Sequence, residues 1–447
     1  MSALPLISHR SSDSIAAWSD DAAVTAHRFL GDVRQLASAF PEGEHVLNLC
    51  GDRYRFGVGL AAAVVTGKIS LLPSTHSPEV LRQVRDFAPD VFCLTDNDSP
   101  KVEMRELAYP PMDDLQNDEF SVPLIDEKQR VAVVFTSGTT GKPQPHHKSW
   151  GCLVGSVKAE AARLQLRDDI NYAIVGTVPP QHMYGFESTL LMAWQSGNAF
   201  TNTHTLYPAD VCAALASVPM PRVLVTSPVH LRSLLNAAVD LPEVTCVVSA
   251  TAPLSQQLAR EVERRFDAPL WEIYGSTETG QIASRRSTHT EQWHLFPGIE
   301  LRIERRFAYV VGDHVETDFA LNDVLEPLDK EHFLLHGRKA DLVNVAGKRH
   351  SLANLNHQLT SIPGVQDGAF FMPEPDGSER VARLAACVVA PGVEPADVLA
   401  ALRERIDPVF LPRPLLFVDA LPRNATGKLP RAALQAMFQG SGNHKSQ

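Results

Sequence analysis

Phe135-Thr136-Ser137-Gly138-Thr139-Thr140-Gly141-Lys142-Pro143 is a run of small, hydroxyl-bearing and glycine residues. Glycines let the backbone curl, so that its N–H groups and the neighbouring hydroxyls can converge on phosphate oxygens. No Gly-Lys-Ser/Thr ending follows at the Walker spacing, which disfavours a P-loop NTPase. A plain Gly/Ser/Thr surface turn has the same composition. A second segment, Trp271-Glu272-Ile273-Tyr274-Gly275-Ser276-Thr277-Glu278-Thr279-Gly280, ends an apolar strand on a turn that presents hydroxyls and a carboxylate together. There Tyr274 could stack on a flat base, Thr277 could bond a phosphate, and Glu278 could hold Mg²⁺. Singly, Tyr274 is equally a core residue and Glu278 a solvated turn residue. Gly337-Arg338 is a third signal, and Leu421-Pro422-Arg423-Asn424-Ala425-Thr426-Gly427-Lys428 puts a lysine on a glycine turn before the last helix. A lone lysine near a chain end is commonly just solvent-facing.

These residues need a scaffold that brings distant segments together. Asp52–Gly67 reads as a helix with a small-residue face, Val91–Leu94 as a buried strand, and Tyr109–Asp126 as a loop. Arg130–Phe135 is a β-branched strand leading directly into the Thr136–Lys142 loop. Short apolar runs follow at Tyr172–Val178, Arg222–Val225 and Val244–Val248, separated by helical segments. Strands alternating with helices predict a layered α/β domain with mostly parallel sheets. After Arg338 the pattern becomes a small α+β unit. Its strands are expected at Gly368–Phe371 and Leu384–Val389, its helices near Pro395–Arg403 and Pro430–Phe438. The expected domains are 1–338 and 339–447.

In this order the four motifs resemble the adenylate-forming superfamily of acyl-CoA synthetases, luciferases and peptide-synthetase adenylation domains, over about residues 130–435. The resemblance implies that the small C-terminal domain is mobile. It implies an ATP-dependent joining of a carboxylate to AMP, followed by transfer to a thiol of coenzyme A or of a carrier protein's phosphopantetheine. Thr136, Ser137, Gly138, Thr139, Thr140, Gly141 and Lys142 would hold phosphates, and Glu278 would hold Mg²⁺. Val178-Pro179-Pro180-Gln181-His182-Met183-Tyr184-Gly185 looks like the segment whose His gates the carboxylate pocket, giving that role to His182. Ser249-Ala250-Thr251-Ala252-Pro253-Leu254 looks like the turn lining adenine on one side and the acyl group on the other. By the same resemblance Tyr274, Gly275, Thr277, Asp323 and Arg338 would bind the nucleotide, and Lys428 would bridge the carboxylate and the α-phosphate. Tyr184, Ala250 and Ile273 would line the acid pocket, and Gly347 would admit the pantetheine arm.

Three positions depart from the pattern. Gln144 replaces the usual lysine after Pro143, Leu321-Asn322 replaces Thr-Gly before the ribose Asp, and Ala340 replaces the polar hinge residue. They are the support for a competing expectation, a degenerate nucleotide-binding protein, against which the retained Glu278 and Lys428 argue in favour of the acid–thiol ligase; an adenylating enzyme with an amine or oxygen acceptor is another alternative. Ile273, where related aromatic-acid ligases often have Gly, would shorten the pocket and favour a small aromatic acid such as a hydroxybenzoate. Lys148-Ser149-Trp150 and Gly337–Leu355 resemble the ligases that load starter acids in bacterial aryl-polyene pigment pathways.

Composition sets the outer bounds. The chain has 447 residues, 44% hydrophobic and 21% charged, and a net charge of -11, so it can bury a large core. An acidic balance argues against sequence-independent nucleic-acid binding, which needs a basic surface. The six cysteines show no metal or CxxC spacing and read as reduced core residues. The start lacks a secretory pattern, and the longest apolar run, Phe56–Val65, is too short to span a bilayer. A cytoplasmic protein without membrane insertion is expected. Oligomeric state is not legible.

Overall fold

The computed structural model describes the chain except residues 1, 21, 114–118, 138–142, 204, 206, 305–306, 339–341, 346–347, 374–382, 424–428 and 443–447. Two large mixed sheets dominate the first three quarters. The first has the order Pro143–Ser149, Arg130–Ser137, Ile69–Leu72, His45–Asn48, Phe92–Thr95, Glu106–Ala108. All its neighbours run parallel except the edge strand Pro143–Ser149, which pairs antiparallel with Arg130–Ser137. Val131, Ala132, Val133 and Val134 are all buried rather than alternating, as expected of a parallel strand covered on both faces.

The second sheet has eleven strands. Its parallel part places Leu270–Ser276, Cys246–Ser249, Arg222–Thr226, Ala173–Gly176, Ala199–Thr201 and Ile15–Ser19 side by side. Antiparallel strands Gly280–Arg285, Trp293–Leu295, His332–Arg338 and Asp323–Pro327 extend one edge. Helix Arg53–Val65 fills the space next to this core, capped by Asp52, whose side chain accepts from Arg55 N at 2.8 Å. Its run of Gly57, Gly59, Ala61, Ala62 and Ala63 is buried, which suits a helix covered all round. Helices Pro228–Asn236 and Gln256–Phe266 pack on the other face, in a second cluster with Val247 and Leu270.

After Arg338 comes the hairpin Leu342–Val345 with Lys348–Ser351. Then strands Asp367–Phe371, Ala385–Val389 and Leu415–Phe417 form a sheet packed by helices Leu352–Thr360, Pro395–Arg403 and Arg431–Gly442. Residues 343–438 supply two hydrophobic clusters of their own.

Two predicted boundaries shift. The expected loop Tyr109–Asp126 ends in a strand, Leu124–Asp126, paired with Ala3–Pro5. The strand expected to stop at Tyr274 continues to Ser276, because a bulge between Tyr274 and Gly275 re-registers it against Gly280–Arg285. The strand Pro143–Ser149 was hidden by its polar, proline-bearing sequence, which an edge strand tolerates.

Candidate functional site

Four adjacent parallel strands deliver their carboxyl ends to one edge of the second sheet: Ala173–Gly176, Arg222–Thr226, Cys246–Ser249 and Leu270–Ser276. In open α/β sheets this edge is where ligands bind. The segments that leave it are those singled out in the sequence: Thr177–His182, Ala250–Pro253 and Thr277–Glu278. Thr177 Oγ1 donates to Thr226 Oγ1 at 2.8 Å and lies 2.7 Å from His230 Nδ1, tying two of these strand ends together.

His182 is the N-cap residue of a helix that runs in three pieces, Met183–Gly185, Phe186–Leu191 and Met192–Gln195. The middle piece has the wider π spacing, a distortion frequent at functional sites. Gly185 holds the turn close to the helix. A Cβ there would lie 2.9 Å from the Pro179 carbonyl carbon and nearer still to its oxygen. The Tyr184 hydroxyl donates to Val248 O at 3.0 Å, and Ala250 and Ile273 are buried in the same cluster. The three residues expected to line the acid pocket therefore share one face of the sheet.

Thr251 has φ +78. A β-branched residue in the left-handed region is an outlier held by its surroundings, of the kind found at ligand sites. Ala252 is half-buried and Pro253 exposed beside it. Across the bulge, Gly275 is required by close approach, since a Cβ would come within 2.8 Å of Gln281 Cα. The turn Ser276–Gly280 is stiffened by Ser276 N donating to Thr279 Oγ1 and Thr279 N to Ser276 Oγ, both at 3.2 Å. That leaves Thr277 and Glu278 half-buried at its tip.

Tyr274 packs against Trp293 and Phe333, with ring centroids 5.5 and 5.7 Å away, and its hydroxyl donates to Asp323 Oδ2 at 2.7 Å. Asp323 is opposite Arg338 in the hairpin register. Three residues assigned to the nucleoside from separate motifs thus meet at one place, despite the Leu321-Asn322 departure.

The phosphate loop joins the hairpin of Arg130–Ser137 and Pro143–Ser149, with Ser137 paired to Pro143. Gly138, Thr139, Thr140, Gly141 and Lys142 lie outside the described residues, as do Gly347 and Lys428. The hairpin reaches Glu278 through residues to which the sequence gave no role. Thr136 Oγ1 is 3.0 Å from His146 Nε2, which is 3.9 Å from Glu278 Oε1. Buried Lys148 donates to Glu278 O at 3.3 Å. Burial lowers the pKa of both His146 and Lys148, against the pull of nearby carboxylates. Lys148 is the buried residue of a strand whose other described side chains, 144–147 and 149, are exposed or half-buried. The Glu278 side chain is 27% exposed, and among the described residues no group of three or more His, Cys, Asp or Glu could hold a metal ion. One accessible carboxylate beside a phosphate loop fits Mg²⁺, which takes one or two carboxylates plus substrate phosphates.

Arg423, five residues before Lys428, donates through Nε and Nη2 to Asp367, both at 2.8 Å. Arg232, on the helix Pro228–Asn236, lies 3.9 Å from the same carboxylate. Through Asp367 these contacts bring Arg423 beside helix Pro228–Asn236.

The sequence pattern of AMP-binding enzymes matches residues 17–313, and that of the AMP-binding enzyme C-terminal domain matches residues 355–428. The chain belongs to the AMP-binding enzyme family. It is 29% identical over 312 residues to a 4-coumarate–CoA ligase of Halorhodospira halophila, covering 66% of this chain and 73% of that one. It is 25% identical over 465 residues to a 2-succinylbenzoate–CoA ligase of Bacillus cereus strain Q1, covering 89% and 92%. In fold it is similar to the O-succinylbenzoate coenzyme A synthetase of Bacillus subtilis in complex with AMP, with a TM-score of 0.79 at 20% identity over 95% of each chain. No helix among the described residues is long and apolar enough to cross a membrane.

Proposed function

We propose that this chain is an acid–thiol ligase that activates a small aromatic carboxylic acid with ATP and passes the acyl group to a thiol. The observation that carries the reading is the meeting of Tyr274, Asp323 and Arg338 beside the Thr136–Glu278 face. These are read as the nucleoside and phosphate positions, with the acid placed at Tyr184, Ala250 and Ile273, which share one cluster. The domains are proposed as 1–338, holding ATP and acid, and 339–447, carrying the catalytic lysine.

Adenylation brings two anions together, so the protein contributes position and positive charge rather than a nucleophile. The Asp323 carboxylate would accept hydrogen bonds from the ribose hydroxyls while Tyr274 flanks the base, with Thr251, Ala252 and Pro253 on its other side. Gly275 and Thr277 would contact the α-phosphate, and Thr136 to Lys142 would hold the β- and γ-phosphates. Glu278 would hold Mg²⁺, which would supply charge neutralisation at the phosphates. His182 closes the mouth of the acid pocket. The substrate carboxylate attacks the α-phosphorus, the bond to the bridging oxygen breaks, and pyrophosphate leaves. Lys428 stabilises the charge that develops between them. For the second half-reaction Gly347 is proposed to line the entry of the pantetheine arm, which points to coenzyme A or a carrier protein as the acceptor.

Acid-dependent ATP–pyrophosphate exchange tests adenylation, and thiol-dependent AMP release tests the acceptor. AMP binding without exchange would favour the degenerate binder suggested by Gln144, Asn322 and Ala340. Exchange with AMP release driven by an amine but not by a thiol would favour the other acceptor class.

A further inference from the structure

Strand Pro143–Ser149 reaches the Glu278 turn twice from one face, because residues two apart in a strand point the same way. His146 Nε2 stands 3.9 Å from the Glu278 carboxylate, and Lys148 Nζ donates to the Glu278 carbonyl at 3.3 Å. Lys148 is only 3% exposed, yet among the described residues the one hydrogen bond of its ammonium goes to that backbone oxygen and not to a carboxylate. Two carboxylates balance its charge from further off: after burial itself, Glu187 and Glu316 act on it most strongly. They line one small cavity together with Lys148, Thr279, Gly280 and His314.

The surroundings hold the lysine in place. Beside it, Ser149 N and Oγ donate to Glu316 Oε1 at 2.5 and 2.9 Å, which pins the strand end from which the side chain rises. Across the cavity, Ser156 Oγ donates to Glu187 Oε1 at 2.8 Å, and that oxygen lies 3.0 Å from where a Cβ on Gly280 would stand. The turn Ser276–Gly280 therefore rests on Lys148 near its tip and on Glu187 at its end. Burying an ammonium costs free energy, and methionine would fill the same space without that cost. What packing alone does not supply is a donor that fixes one peptide plane. The Glu278 carbonyl shares its Cα with the Glu278 side chain, so fixing the first directs the second.

We propose that Lys148 is a positioning residue for adenylation: by holding the Glu278 carbonyl it aims the Glu278 carboxylate at the phosphate loop, where that carboxylate would hold Mg²⁺. This rests on the acid–thiol ligase reading and gives a task to a residue outside the nucleotide motifs. Lys148 works through Glu278 and not on the nucleotide. Without it the turn keeps its Ser276–Thr279 bonds but loses its outside support, so the carboxylate is no longer held in one direction. Groups that orient a metal's protein ligand typically contribute about 10- to 100-fold to its affinity. AMP, which lacks the β- and γ-phosphates, would be held through Tyr274 and Asp323 and should be indifferent to the change.

The test is calorimetric binding of AMP, and of ATP with and without Mg²⁺, beside pyrophosphate exchange titrated with Mg²⁺. The proteins are the wild type, Lys148→Met, Glu278→Ala and the two changes combined. Lys148→Met should weaken ATP binding in Mg²⁺ by about 10- to 100-fold and raise the Mg²⁺ needed for half-maximal exchange, with AMP affinity little changed. In the Glu278→Ala background the same change should cost less than about twofold more, because both act on one group. Losses that multiply in the combined variant would mean that Lys148 acts independently of Glu278, and overturn the inference. So would an unmoved Mg²⁺ response in folded Lys148→Met. Because Lys148→Met leaves Glu187 without its balancing charge, Lys148→Met/Glu187→Gln is measured alongside, with thermal unfolding of each. It should regain stability but not the Mg²⁺ response; regaining both would show that the lysine only balances buried charge, and overturn the inference. Wild-type ATP binding indifferent to Mg²⁺ would overturn it as well. No exchange by the wild type with any acid overturns the ligase reading, while the binding measurements still decide whether Lys148 works through Glu278.

Discussion

Gly185→Ala isolates the role of the His182 turn without altering any group expected to touch substrate. Gly185 has φ -65 and ψ -38, an ordinary helical conformation, so alanine brings no backbone strain. Space decides. The new Cβ would stand 2.9 Å from the Pro179 carbonyl carbon, where carbon–carbon contacts settle at about 3.5–4.0 Å. The conflict is with backbone, which cannot rotate away, so the segment Val178–His182 must move by at least about 0.6 Å from the helix. Overpacking of this kind costs about 1–3 kcal/mol, which a chain of this size survives. The effect on chemistry should be larger. A misplacement approaching 1 Å costs up to about 10²-fold in rate. Adenylation by Gly185→Ala should therefore fall by about 10-fold to 10²-fold in kcat, while ATP binding through Tyr274 and Asp323 changes little. Pyrophosphate exchange at saturating acid, with ATP affinity by calorimetry and thermal unfolding alongside, separates the effects. Unchanged exchange in a folded variant would refute the idea that this turn positions the gate.

Glu278→Ala should mainly slow adenylation and raise the Mg²⁺ requirement; near-normal exchange at limiting Mg²⁺ would make Glu278 a solvated turn residue. Lys428→Ala should cut adenylation by about 10²–10³-fold yet leave thioester formation from supplied acyl-adenylate nearly intact, whereas Gly347→Leu should do the reverse. Equal losses in both halves would mean that the lysine is structural or that the domains do not alternate. Burial raises Glu160 to about 8 and Glu187 to about 7 from 4.5, so both favour the folded state at low pH and lose that advantage as pH rises through those values. Wild-type stability should therefore fall more steeply than that of Glu160→Gln between about pH 5 and 8, by up to about 1.4 kcal/mol more for each step of one pH unit. Parallel curves by denaturant titration would contradict the buried-acid assignment.

Much of this site was readable before the structure because its motifs are local. Tyr274–Glu278 compresses a turn and its chemistry into a few residues, and strand and helix positions followed from apolar runs between the motifs, whereas residues 138–142 and 424–428 lie outside the described residues. Tyr274 with Asp323 was accessible only through family resemblance, since 49 residues separate them. The residues that were missed act across longer separations. Lys148 sits in a polar stretch that resembles a loop, and only the edge-strand pairing carries it beneath Glu278, 130 residues away. Glu160 and Glu187 look like the solvated carboxylates usual on helices, and only packing between helix and sheet buries them. Arg423 joins Asp367 and Arg232 through a contact with no periodic signature. Physical chemistry made the motifs legible; burial, which depends on the whole fold, decided the rest.

Mg²⁺-dependent ATP–pyrophosphate exchange, measured with aryl acids and long-chain fatty acids in parallel, is the most direct test of the central claim. A pocket lined by Tyr184 and closed by Ile273 should give exchange with short aromatic acids, and AMP release should then follow addition of coenzyme A or a pantetheine thiol. Palmitate turning over faster than every aryl acid would contradict the pocket assignment. AMP binding with no exchange for any carboxylic acid would contradict the enzyme itself.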